Sequence, residues 1–113
     1  MNSIRRLTTP THEFTLPFNL SMVRRCRITY SQNGSIVLSK DSNNIEDMKM
    51  SQSDENNNIT KITIKLTQDE TARFSVGQDV EIQSRVITTG GDAVSSNVLL
   101  IGVKKSLDNE VLL

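Results

Sequence analysis

The side chains best suited to chemistry in this sequence are few: His12, Cys26, the arginines at 24, 25 and 27, and the acids between residues 41 and 58. His12 is the single histidine. A catalytic base needs a nucleophile or a second acid–base group within reach. His12 stands beside Pro10 at the start of a strand pattern and reads as a surface histidine. Cys26 is the single cysteine, so the chain forms no internal disulfide and holds no Cys/His set for zinc. It alternates with Ile28 and Tyr30, which marks it as a small buried hydrophobe. Were it exposed, the neighbouring arginines would lower its pKa. The acidic stretch "DSNNIEDMKM" lacks the alternating ligands, glycine and terminal glutamate of a calcium loop. "VGQDV" and "TTGGDA" lack the lysine spacing of a phosphate loop and read as turns. These residues argue against an enzyme, and no catalytic, metal or cofactor site is expected.

The arginines are the strongest charge cluster. Arg25 and Arg27 lie two apart in a strand pattern, so they project from one face about 7 Å from each other. Such a face suits an acidic partner surface or phosphates; its plain alternative is a solvated face that discourages edge pairing. Thirteen basic residues balance thirteen acidic ones, whereas a dedicated nucleic-acid binder shows a basic excess. The balance is uneven along the chain. Residues 1–40 hold six Lys/Arg against Glu13, and residues 41–58 hold five acids against Lys49. The aromatic platforms of a single-strand binder are missing near the arginines, where only Tyr30 occurs and should point inward.

The elements that position these residues are strands. "HEFTLPF" places Phe14, Leu16 and Phe18 on one side, and Pro17 makes it a short or edge strand. "MVRRCRITYS" turns Cys26, Ile28 and Tyr30 inward and Arg25, Arg27 and Thr29 outward. "ITKITIKL" alternates cleanly, with Ile62, Ile64 and Leu66 inward. "TQDETARF" changes period: Thr67 and Glu70 fit a capping box, so a helical turn is expected before Gly77, anchored by Phe74. Val80, Ile82 and Val86 share the inner face of the next strand. "AVSSNVLLIGV" is a last long strand, covered on both faces from Val98 to Ile101. Residues 41–58 read as a mobile polar loop with a short strand near 46–50.

"ITYSQNGSIVL" is a hairpin whose register the turn must set. A two-residue loop of Asn33 and Gly34 would pair Ser31 with Ile36 and Thr29 with Leu38, setting aliphatic residues over a polar face. A three-residue loop starting at Gln32 pairs Tyr30 with Ile36 and Ile28 with Leu38. Opposite residues share a face, so burial favours the three-residue loop, with Gly34 at positive φ.

Six to eight short strands, one small helical turn near 67–74 and frequent turn signals predict an all-β fold, an immunoglobulin-like antiparallel β-sandwich. An N-terminal arm is expected over 1–11, one sandwich domain over 12–104 and a tail over 105–113. No apolar run reaches the roughly 20 residues of a membrane span, and no signal-peptide block opens the chain. A soluble protein made in the cytoplasm is expected.

Four phrases, "TTPTHEFTLPF", "RITYSQNG", "KLTQDETARF" and "VEIQSRVITTGGDAVSSN", together resemble small prophage-encoded proteins from the virion structural genes of tailed phages of Firmicutes. The likeness spans most of the chain outside 41–58 and the tail. It implies a β-sandwich like the attachment domains of baseplate and head-fibre proteins, acting without catalysis. The partners implied are copies of itself or tail, baseplate or capsid proteins, with homo-oligomers natural in a symmetric particle and incorporation into a virion. The residues expected to meet a partner are Arg25, Arg27, Ile4 and Leu7 of the arm, and Val111 and Leu112 of the tail. An OB-like single-stranded nucleic-acid binder resting on the arginines is the alternative. A carbohydrate-binding module is disfavoured by the absence of Trp.

Overall fold

The computed structural model describes residues 3–53, 58–96, 98–108 and 110–113. They form strands β1 (Ser3–Arg5), β2 (Thr11–Leu16), β3 (Val23–Gln32), β4 (Ser35–Asp41), β5 (Lys49–Gln52), β6 (Thr60–Lys65), β7 (Val80–Thr88), β8 (Ala93–Ser95) and β9 (Leu99–Lys104). A single turn of helix, α1 (Gln68–Thr71), joins β6 to β7, and a 3-10 turn covers Leu20–Met22. The larger sheet has the order β1-β9-β7-β3-β4, with β8 also pairing β7; the smaller runs β2-β6-β5. Among the described residues, only β1 and β9 pair in parallel. The fold is the expected all-β sandwich. The larger sheet supplies Cys26, Ile28, Tyr30, Leu38, Val80, Ile82 and Val86 to one buried cluster, and the smaller supplies Leu16, Ile62 and Ile64. Each such side chain stabilises the fold by about 1.5–3 kcal/mol when fully buried.

The strand faces follow alternation. In β3 every second residue from Cys26 to Gln32 is buried, and the residues between face outward. β7 buries Val80, Ile82, Ser84, Val86 and Thr88 in the same rhythm. The helix begins with the expected capping box: the Thr67 hydroxyl accepts from the Glu70 amide at 3.1 Å, and the Glu70 carboxylate accepts from the Thr67 amide at 2.9 Å. These bonds satisfy two donors that a helix start leaves open. Phe74 follows the helix into the core against Tyr30, ring centroids 6.0 Å apart.

Several expectations are corrected. The arm is part of the sheet: Ser3, Ile4 and Arg5 pair with Gly102, Val103 and Lys104. The short strand expected near 46–50 is present and only displaced, as β5 at Lys49–Gln52 paired to β6, and residues 54–57 lie outside those described. The last long strand is two, β8 and β9, and Val98, Leu99 and Leu100 are exposed rather than covered on both faces.

The hairpin departs most instructively. Gln32 pairs with Ser35 and Ser31 with Ile36, so the loop is the two residues Asn33 and Gly34, at φ 50° and 79°. Two successive positive φ values make the type I′ turn that Asn-Gly favours. Tyr30 then pairs with Leu38, which leaves Val37 as an extra residue in β4. This bulge moves Leu38 to the core face and leaves Ile36 outside, 71% exposed. A tight turn followed by a bulge combines the favoured loop with the favoured burial, an arrangement that a choice between loop lengths overlooks.

Substitution checks this register. Leu38→Ala is expected to cost about 2–5 kcal/mol in urea unfolding. Ile36→Ser should change stability by less than about 0.5 kcal/mol. Equal costs at the two positions would favour the three-residue loop.

Candidate functional site

The outer face of the larger sheet brings three arginines together, two of them on one carboxylate. Arg27 pairs across the strands with Asp41 on β4 and with Arg85 on β7. Arg25 stands beside them, opposite Ile87. Asp41 accepts from Arg25 Nη2 at 2.7 Å and Nε at 3.0 Å, and from Arg27 Nε at 3.0 Å. The Asn43 amide also donates to it. The hydrogen bonds from Arg25 lead the causes that hold the Asp41 carboxyl far below its ordinary range. The arginine side chains remain 43% and 41% exposed while Asp41 is 16% exposed, so the acid is covered and the guanidiniums still reach solvent. Asp47 brings a second carboxylate to the site, its Oδ2 accepting from the Asp41 amide at 3.0 Å, so three cations stand against two anions. No described ion pair includes Arg85. Arg25, Arg27, Arg85 and Ile87 line a recess of about 150 Å³. Arginine forks on a fixed strand frame suit carboxylates, which they bind two-pronged.

The interior holds a second polar group. Lys40 points inward opposite Ile28, 7% exposed, and forms an ion pair with Glu70 of α1. Burial pushes the Glu70 carboxyl up, but the hydrogen bonds from Lys40 and Thr67 outweigh it and leave the pKa lowered. Nearby, His12 Nδ1 and the Tyr30 hydroxyl share a 2.8 Å hydrogen bond, with the rings stacked 5.8 Å apart. Burial, then the charge of Glu70, push the Tyr30 phenol well above its ordinary value. His12 is therefore a core residue and not a surface one. It shares parity with Phe14 and Leu16, and its 4% exposure follows from that. Cys26 is fully buried as expected, and burial leads the causes that raise its thiol to about 11. Cys26 is enclosed by the core, whereas His12, though 4% exposed, lines a recess with Ser3, Pro10, Thr11 and Glu13.

The remaining expected contact residues separate. Ile4 is fully buried in the core and offers nothing to a partner. Leu7 is half-buried in a turn at φ 62°, a conformation unusual for leucine. Around it, Arg6 donates to the Ala72 carbonyl and the Thr8 amide donates to the Thr71 hydroxyl. Val111 and Leu112 are exposed. The backbone of Leu112 is held by the Gln68 side chain, which donates to its carbonyl at 2.6 Å and accepts from its amide at 2.8 Å. Arg85, Asp41 and Lys40 were missed in the sequence. Alternation with Val86 would have put Arg85 outward, but its place beside Arg27 needs the strand order.

No protein-family model matches this chain, and no curated protein matches it in sequence. Among the described residues, no cluster of three His, Cys, Asp or Glu side chains could hold a metal ion, and no helix is long and apolar enough to cross a membrane.

The buried histidine makes stability pH-dependent. Its folded pKa lies below the ordinary 6.5 because burial disfavours the charged ring. Unfolded chains then bind the proton more readily, so stability is full above pH 6.5 and declines as pH falls from there toward the folded value. The lowered Asp41 and Glu70 carboxyls act in a separate window, at and below the ordinary values of 3.8 and 4.5. The melting temperature is expected to fall between pH 7 and 5, and His12→Gln should flatten that slope. An unchanged slope in the variant would place the titration elsewhere.

Proposed function

We propose that this chain is a non-enzymatic structural or accessory module of a phage virion that works by protein–protein assembly. The observation that carries the reading is the arginine face of β3 and β7: three guanidiniums on one sheet, two of them bound to Asp41 and the third, Arg85, in none of the described ion pairs. The sequence resemblance to prophage virion proteins supports the setting. The buried states of His12 and Cys26 favour binding over catalysis.

The sheet edges favour a face over strand addition. β4 is an edge strand, and it carries two features that discourage pairing: the bulge at Val37 and the inward charge of Lys40. β2, another edge, runs into Pro17, and β1 is three residues long. The remaining edges, β5 and β8, are four and three residues long, so the broad face offers the larger surface for a partner. The alternative, a single-stranded nucleic-acid binder, draws on the same arginines. It needs exposed stacking aromatics, but Tyr30 and Phe74 lie in the core, Phe14 and Phe18 pack partly against it away from the arginines, and Asp41 would confront the phosphates.

The test is a pull-down with the products of the neighbouring genes, with light scattering on the purified protein. At least one such protein, or a second copy, is expected to be retained at low salt and released as salt rises. Arg27→Glu/Arg85→Glu should abolish retention. A strictly monomeric chain that retains none of them would refute the reading.

A further inference from the structure

Arg85 is the unfinished part of the arginine face. It stands directly opposite Arg27 on the neighbouring strand, about 5 Å away at Cα, and like charges so placed repel. On its other side Arg27 reaches Asp41 through Nε and Nη2, both at 3.0 Å, and Arg25 grips the same carboxylate through Nε and Nη2. Among the described residues, no ion pair includes Arg85. Counted in full, Arg25, Arg27 and Arg85 against Asp41 and Asp47 leave one positive charge. Arg24 and Asp92, each one residue beyond the row of Arg25, Ile87 and Ala93, add one charge of either sign. Glu81 lies four residues from Arg85 along β7, about 13 Å by strand rise and beyond a screening length of about 8 Å.

Resting on the assembly reading above, we infer that the recess at Arg27 and Arg85 is a site for one carboxylate, which in the assembly is an acidic side chain of the partner protein. One carboxylate bridging the two guanidiniums relieves their repulsion and takes two-pronged hydrogen bonds. Asp41, already held by two of these arginines, shows that the frame accepts this group. The recess, about 150 Å³, is below the roughly 300–1,000 Å³ of a cofactor-sized pocket, so it suits the end of a side chain. Its wall includes half-buried Ile87, whose cross-strand neighbour on β8 is Ala93. That aliphatic side favours the two methylenes of a glutamate. A single negative charge also matches the single surplus positive one, whereas a run of phosphates would bring more charge against Asp41 and Asp47.

Arginine Nε–Hε NMR spectra of the full chain, titrated with sodium propionate at constant ionic strength, test this. Propionate carries the end of a glutamate side chain. The Arg27 and Arg85 signals are expected to shift and saturate, while that of Arg73, exposed after α1, does not saturate. Sodium sulfate and single-stranded oligothymidine, titrated in parallel, should saturate neither signal. Arg85→Gln should weaken propionate binding at least about tenfold, read at Arg27. Arg85→Lys keeps the charge without the planar fork and should lose as much. Both replace an exposed side chain, thermal unfolding checks that each folds, and the titration of the unmodified chain decides if one does not. Propionate shifts that never saturate, tighter saturation by sulfate or oligothymidine, or an Arg85→Lys variant that binds like the unmodified chain would each overturn the inference. If a neighbouring gene product is still retained in that case, the assembly reading stands without it. Saturation by propionate with nothing retained upholds the carboxylate site and refutes the assembly reading.

Discussion

One extra residue, Val37, sets the parity of β4, and the rest of the arrangement depends on it. Were β4 continuous from the Asn33–Gly34 turn, Lys40 would stand opposite Arg27 and Asp41 opposite Cys26. Two cations would then face each other on the surface, and a carboxylate would be driven into the apolar core without a partner. Desolvation makes that second placement costly. The bulge exchanges the two: Ile28 faces Lys40 and Arg27 faces Asp41. Val37 itself packs partly against the core, so the added residue is not wasted space.

The exchange has consequences on both faces of the sheet. Inside, Lys40 meets Glu70 and ties the edge strand to the helical turn that also supports Phe74 and Tyr30. A buried ion pair of this kind contributes little net stability, because desolvation offsets attraction. Its stronger effect is on β4, where an inward charge and a bulge together make the edge a poor template for another strand. Outside, Asp41 joins two arginines, while Arg85 enters no ion pair among the described residues, which gives the face its shape. The same displacement therefore weakens the edge and creates the face.

Most of the frame was legible in the sequence. Strict alternation in β3, β6 and β7 located their core residues, and the Thr67–Glu70 spacing located the helical turn. The misses share a physical reason. His12 has the parity of Phe14 and Leu16, but its polarity and nearness to Pro10 suggested the surface; Tyr30, the hydroxyl that makes its burial tolerable, is eighteen residues away. Ile4 reads locally as part of an arm because its partner strand, β9, lies at the other end of the chain. Arg85 becomes notable only when β7 is placed beside β3. Long-range pairing decides each of these, and local pattern does not carry it.

The central claim is that the molecule meets partners through the arginine face and not through strand edges. Amide hydrogen exchange combined with arginine Nε–Hε NMR spectra, on the dilute and the assembled chain, addresses it most directly. The account predicts shifted signals from Arg25, Arg27 and Arg85 on assembly, with the backbone amides of β4 and β2 no better protected than before. New protection along Ser35–Asp41 or Thr11–Leu16, with the arginine signals unmoved, would contradict it.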